Sequence, residues 1–471
     1  MDDFVGRENA VESLKSLLAK RLPHPPRRLV VASISGPGGV GKSFLLEHVL
    51  AGVDVAAERY LKLSSHGRDA PVSGLIDLIT RRLLQSCKQV DGENLYMRRT
   101  RECRKALDAI DKAFAVRVAR AAKKDPLLGG VDVVRVLAHA GVSLADVLAH
   151  TKIPEVKATA MIAKAVLKHV EKNPAIAEKT AQLIHAAATD PSGARFSGAL
   201  TKRLLRDATG TVCDAFVADL TDMLVGWEKR KIENLLKLLP PKASAVDRLL
   251  LVIDDYESLP EQTRAAFIHE LLPKLAAAGF DSTVIVIGRD ALTDAHLEWS
   301  DKIEKYLAAD IRLSELSVED ASRYVRERGI TDEATVKRIV DDTRGFPFLL
   351  ATEVEAENAG GRSALTIEKF IARTTRWMTK EQRDWLVHLS FLDAVNEDSI
   401  AVMLPGEDAK SVLDWFKHEP SIRSPSGVAG WQVLPIVRSR VQAHVKLDSP
   451  SRYDALMKLA VPPAAAPAAA S

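Results

Sequence analysis

The stretch Gly36-Pro37-Gly38-Gly39-Val40-Gly41-Lys42-Ser43 decides how this chain is read. A glycine, four free positions and then Gly-Lys-Ser is the spacing of a phosphate-binding loop. Glycines let the backbone turn tightly enough for successive N–H groups to face phosphate oxygens, with no Cβ to block the approach. Lys42 is placed to lie along the β- and γ-phosphates, and the Ser43 hydroxyl to complete a Mg2+ shell. The flanks agree with the motif. Leu29-Val30-Val31-Ala32-Ser33-Ile34 reads as a buried parallel strand, and Phe44-Leu45-Leu46-Glu47-His48-Val49-Leu50 as a helix whose N-terminal dipole faces the anion.

The other half of such a site is expected far downstream. Leu249-Leu250-Leu251-Val252-Ile253 reads as a strand buried on both faces, and it ends in Asp254-Asp255-Tyr256-Glu257. The first carboxylate would emerge beside the loop and hold Mg2+, mostly through water, and Asp255 would polarise the attacking water. A further strand, Thr283-Val284-Ile285-Val286-Ile287-Gly288, runs into Arg289. Parallel strands end at one sheet edge, so Arg289 is expected on the same side as the loop and within reach of a γ-phosphate. Together with strands at Arg59–Ser64 and Ala309–Leu313, the pattern predicts an α/β, P-loop NTPase fold on a parallel five-stranded sheet.

With 471 residues, 46% of them hydrophobic, the chain can bury several cores. No run of about 18 uncharged apolar residues is present, and Asp2 and Asp3 open the chain where a secretory signal would be basic, so no membrane span is expected and a cytoplasmic location is. Cys87, Cys103 and Cys213 are widely spaced and odd in number, which gives neither a disulfide framework nor a metal pair. Formal charge is +3, yet residues 91–245 alone hold 26 Lys+Arg against 18 Asp+Glu. That basic excess marks either a surface for an anionic partner or a solvated helix face.

The boundaries follow from composition. Residues 1–90 and 246–313 form the two parts of the NTPase core. Residues 91–245 are an Ala- and Lys-rich, strand-poor helical insertion, divided at Asp125-Pro126, Gly129-Gly130, Ile153-Pro154, Asn173-Pro174 and Asp190-Pro191. Its His139, His150, His169 and His185 have no partner at metal-ligand spacing. Residues 314–362 read as a small helical lid, opened by an N-cap serine at Ser317 and containing Gly345-Phe346-Pro347, where one helix ends and the next begins. Residues 363–447 read as three helices, a hairpin near Ile422–Val433 and a helix from Pro435, the order of a winged helix. Residues 448–471 are expected to be a disordered tail.

Val5-Gly6-Arg7-Glu8, the glycine loop, Leu-Val-Ile-Asp254-Asp255, the strand ending at Arg289, Gly345-Phe346-Pro347 and the winged-helix pattern together resemble the STAND class of signal-transduction ATPases, close to the NB-ARC modules and related to AAA+ proteins. The resemblance implies that ATP or ADP binds with its adenine against the main chain around Val5, Gly6 and Arg7, that Pro347 packs on the base or ribose, and that Arg289 is a sensor of the third phosphate. The implied nucleotide set is Val5, Gly6, Arg7, Gly36 through Phe44 (Gly36, Pro37, Gly38, Gly39, Val40, Gly41, Lys42, Ser43, Phe44) and Pro347, with Ser43 and Asp254 on the metal and Lys42, Asp254, Asp255 and Arg289 in hydrolysis. Where the family carries a Met-His-Asp histidine against the bound diphosphate, this chain has Leu434.

The resemblance implies a slowly hydrolysing ATP switch whose nucleotide state controls domain arrangement, and with it self-oligomerisation or the binding of a protein partner. Its input and output are expected from the insertion, from separate chains or from segments outside this sequence. The alternative reading is a nucleic-acid-acting AAA+ ATPase of initiator or transposition-regulator type. Against it, residues 366–447 hold 11 basic and 10 acidic residues, which gives the winged-helix region no strong positive face; the basic insertion is the segment that could meet nucleic acid. A small-molecule kinase is disfavoured, because nothing in the sequence marks a second substrate pocket.

Overall fold

The computed structural model describes residues 5–19, 29–53, 60–65, 75–83, 97–125 with 128, 173–189, 198–224, 248–295, 304–358, 367–368, 371–372, 375, 378–417, 423–426 and 430–460. Five strands, β1 (Leu29–Ser35), β2 (Tyr60–Ser65), β3 (Arg248–Ile253), β4 (Asp281–Ile287) and β5 (Leu307–Arg312), form one sheet in the order β2-β3-β4-β1-β5, every pair parallel. Parallel neighbours need crossovers, and helices supply them.

Side chains alternate across this sheet. Leu29, Val31, Leu249, Leu251, Val284 and Val286 join one core, while Ala32, Ile34, Leu250, Val252, Ile285 and Ile287 join another. The second core is closed by α1 (Glu8–Ala19) and α2 (Lys42–Gly52) through Leu14, Leu18, Leu45, Leu46 and Val49. The first is closed by helical runs at 75–83 and 261–277, and outside these lie the helices Arg98–Ala122 and Ala208–Leu224, whose Phe114, Val118 and Phe216 belong to the same buried cluster. The described parts of the strand-poor segment are helical, as its composition implied. The breaks expected at Gly129-Gly130 and Ile153-Pro154, His139, His150, His169 and Cys87 lie outside the described residues.

Asp219, 4% exposed, anchors that helical layer. Its carboxylate accepts from Thr100 N (2.8 Å), Thr100 Oγ1 (2.8 Å) and Arg99 N (3.2 Å), satisfying amides at the start of the helix Arg98–Ala122. Lys274 bonds Asp214 and ties the layer to the run 261–277. Cys103 and Cys213 are buried thiols, and burial pushes their pKa values up to about 11 and about 12. They pack as small apolar groups.

After β5 come the helices Val318–Glu327, Glu333–Thr343 and Pro347–Asn358. Ser317 caps the first, accepting from Asp320 N at 3.0 Å, and Asp332 caps the second through Thr335 N at 2.8 Å. The third helix has two apolar faces. Leu350 and Val354 pack with Val325 and Ile339, whereas Phe346 and Leu349 enter the core of the C-terminal elements. Those elements are the helices Lys380–Leu389, Glu397–Met403 and Ala409–Lys417, the antiparallel hairpin β6 (Arg423–Ser426) with β7 (Gly430–Val433), and the helices Pro435–Asp448 and Pro450–Ala460.

The last helix corrects one expectation. Residues 448–471 were read as a disordered tail on the low complexity of 461–471, which lie outside the described residues, but Pro450–Ala460 is helical, with Leu456 4% exposed and Tyr453 edge-on to Phe391, ring centroids 5.5 Å apart. Proline at the first helical position needs no donor, and the packing of Leu456 and Tyr453 against the neighbouring core holds the helix in place.

Gly345 turns the chain between two helices at φ 71, where a Cβ would lie 2.3 Å from the Leu316 carbonyl oxygen. Gly345→Ala is therefore expected to lower stability by more than about 2 kcal/mol, through a strained φ and a backbone collision. Thermal melts of the two proteins check this, and an unchanged midpoint would contradict it.

Candidate functional site

Strand order brings the site residues together. β1 delivers the loop 36–41, β3 delivers Asp254 and Asp255, and β4, which lies between them, delivers Arg289. The seam is knitted by main chain: Gly288 N donates to Ile34 O and Gly36 N to Arg289 O, each at 3.0 Å. Gly36 is required by packing as well as by conformation. Its φ is 143, and a Cβ there would lie 2.3 Å from the Leu313 carbonyl oxygen at the end of β5.

The loop carries a cation and a hydroxyl at the start of α2. Lys42 Nζ donates to Gly36 O (2.6 Å) and Pro37 O (3.0 Å), so the ammonium is held over the loop by its own carbonyls. Burial lowers the Lys42 pKa to about 8, with Glu257 pulling it back up and Arg289 pushing it further down. Ser43 Oγ donates to Asp254 Oδ2 at 2.9 Å, and Asp254 Oδ1 accepts from Asp255 N at 2.9 Å. Hydroxyl and carboxylate oxygens side by side at a helix N-terminus fit a hard cation such as Mg2+. Among the described residues no group of three or more His, Cys, Asp or Glu is placed to hold a metal, so phosphate and water oxygens would complete such a shell.

Asp255 departs from the strand. It takes the left-handed conformation at φ 53, and its carbonyl accepts from Ser258 N (2.8 Å) and Ser258 Oγ (2.6 Å), closing the turn Tyr256–Ser258. The chain doubles back, and Glu257 comes to face the loop. Glu257 Oε1 lies 3.7 Å from Arg289 Nε, and the Arg289 side chain is only 5% exposed. Burial raises the Glu257 pKa, opposed by Lys42 and Arg289. Glu257 was not among the residues singled out from the sequence. Its signal was a third acid in Asp254-Asp255-Tyr256-Glu257, but only the left-handed turn aims it.

The N-terminal residues brace this arrangement. Val5 is buried, and Arg7 Nη1 donates to Val40 O (2.6 Å) while Nη2 donates to Ser314 O (2.8 Å). Burial lowers the Arg7 pKa to about 10, with Asp320 and Glu315 opposing. A Cβ on Gly6 would lie 2.9 Å from Asp320 Oδ2, so the chain here runs close to the helix Val318–Glu327. Phe44 is half-exposed on the first turn of α2. Pro347 opens its helix beside the loop: a Cβ on Gly39 would lie 3.2 Å from Phe346 Cε1 and 3.2 Å from Phe348 Cβ, the residues on either side of it.

Arg7→Ala would leave the Val40 and Ser314 carbonyls without these donors. The expected cost is about 2 kcal/mol, with faster amide exchange across residues 38–42, read by hydrogen-exchange mass spectrometry; unchanged exchange would refute the bracing role.

No protein-family model and no curated protein matches this chain. Among solved structures it is similar to the crystal structure of a Signal Transduction ATPase with Numerous Domains (STAND) protein with a tetratricopeptide repeat sensor from Pyrococcus horikoshii. The identity is 12%, the alignment covers 96% of this chain and 47% of that one, and the TM-score is 0.29, so the chain spans about half the length of that structure.

Proposed function

We propose that this chain is an ATP-binding, slowly hydrolysing switch of STAND type, in which nucleotide state sets how the lid 314–362 and a winged-helix domain 363–447 sit on the NTPase core. The observation that carries the reading is the contact of Phe346 and Phe348 with Gly39, at the crest of a loop that also presents Lys42 and Ser43. A ligand on the loop meets the lid at its hinge. From there Leu349 and the ion pair of Glu353 with Arg440 Nη2 at 2.6 Å lead into the C-terminal core. Contacts on both sides of a joint are what allow a ligand to bias a two-state arrangement.

In this reading the glycine loop and the N-terminus of α2 bind the phosphates, and Val5, Gly6 and Pro347 enclose the base and ribose. Ser43 and Asp254 would hold Mg2+, which when bound supplies charge neutralisation to the phosphate oxygens. Lys42 leaves the Gly36 and Pro37 carbonyls for the phosphates. Asp255 polarises the attacking water and Arg289 stabilises charge on the transferred group. Nothing in the set forms a covalent bond, so positioning and electrostatics carry the rate.

Isothermal titration tests the core of the proposal: Lys42→Ala should lose nucleotide binding at least a hundredfold, and unchanged affinity would refute it. A second measurement uses the lysine's titration. Its free pKa of about 8 should return toward 10.5 beside phosphates, so binding at pH 8.5 should take up roughly 0.7 proton at this site and at pH 6.5 almost none. Titrations in buffers of different ionisation enthalpy read that number directly. Light-scattering mass with ADP, then with ATP and Mg2+, tests whether the switch controls assembly.

A further inference from the structure

Glu257 has an electrostatic position that hydrolysis, as described above, does not use. Its Oε2 is buried and makes no hydrogen bond among the described residues, and its Oε1 is 3.7 Å from Arg289 Nε. That is an ion pair longer than the roughly 2.8 Å of a good charge-assisted hydrogen bond, so the attraction is present but easily exchanged. The groups facing Glu257 are Lys42 from α2, Arg289 from the end of β4 and Asp255 from its own turn. Gly288, whose absent Cβ would sit 3.5 Å from Oε2, forms the remaining wall.

The backbone of Glu257 is held in place. Tyr256 beside it is 3% exposed and packs edge-on to Phe267 at 6.1 Å between ring centroids, and the turn is closed by Ser258. The carboxylate can rotate but cannot leave. Any further anion brought to Lys42 and Arg289 must therefore share a half-buried and a buried cation with a fixed negative group, and like charges this close, partly withdrawn from water, repel.

We infer that Glu257 is a specificity-determining residue that competes with a third phosphate for Arg289, and so sets the preference of the site between nucleoside diphosphate and triphosphate. The inference rests on the nucleotide reading proposed above. With a diphosphate bound, Arg289 keeps its carboxylate neighbour; with a triphosphate, it is drawn to the added phosphate and Glu257 remains beside two anions. The residue thus weakens the triphosphate complex selectively, by repulsion as well as by competition for the cation.

The test is calorimetric titration of ADP and of ATP with Mg2+ into the full chain, comparing wild type, Glu257→Gln, Arg289→Gln and the double variant. Glu257→Gln should raise the ATP-to-ADP affinity ratio at least tenfold, almost wholly through ATP. Arg289→Gln should lower the ratio, and removing Glu257 should raise it by a smaller factor in the Arg289→Gln background than in wild type, because the repulsion remains while the competition has lost its object. A ratio within twofold of wild type in Glu257→Gln overturns the inference, as does an equal change for both nucleotides. So does an unchanged ratio with abolished turnover, which would place Glu257 on the attacking water. If Glu257→Gln does not fold, the double variant, which removes both charges of the pair, should still raise the ratio above that of Arg289→Gln through the lost repulsion, and an equal ratio overturns the inference. Absence of nucleotide binding in wild type would instead defeat the parent reading.

Discussion

β4 is zipped to β1 from Ser282 to Ile287 and to β3 from Asp281 to Val286. That register makes three strands finish almost level, Ile34 opposite Ile287 and Ile253 opposite Val286, so the glycine loop, Arg289 and Asp254 leave the sheet side by side. Everything at the site inherits this alignment. A slip of one residue would exchange the faces of Leu249 and Leu250 and turn both cores inside out, so burial on two faces fixes where the charges emerge.

Much of this was legible because it depends on local chemistry. The glycine spacing, the apolar strands and the serine cap at Ser317 each impose their own geometry over a few residues, and each is found in the structure where the sequence implied. Two other features depend on distant partners and carry no local pattern. Arg7 enters the sequence reading only as a member of the implied nucleotide set, and its bracing of the loop shows only once Val40 and Ser314 are seen around it. Glu257 reads as part of an acidic cluster until the left-handed Asp255 reverses the chain. The helix Pro450–Ala460 was missed because the low complexity of 461–471 was extended upstream and says nothing about what Leu456 and Tyr453 meet.

The helix Pro347–Asn358 shows how an apparently featureless stretch acquires a role. Its apolar residues surround it, so no single amphipathic stripe is visible; the cause is that it serves two cores at once, Leu350 and Val354 on one side, Phe346 and Leu349 on the other. Glu353 lies on the second side, 3% exposed, paired with Arg440. A buried pair of this kind gives modest net stability but is exacting about geometry, since either charge left behind is costly. It ties this helix to the helix Pro435–Asp448.

The helices of the strand-poor segment share an uninterrupted interior with the sheet, Phe114 and Phe216 being continuous with Leu251 and Val284 through the runs 75–83 and 261–277. Close-packed interiors have low compressibility. The helix Arg98–Ala122 and the strands that carry Asp254 and Arg289 therefore belong to one packed layer. The described helices of the segment are built less as an appendage than as an outer wall of the sheet's own core.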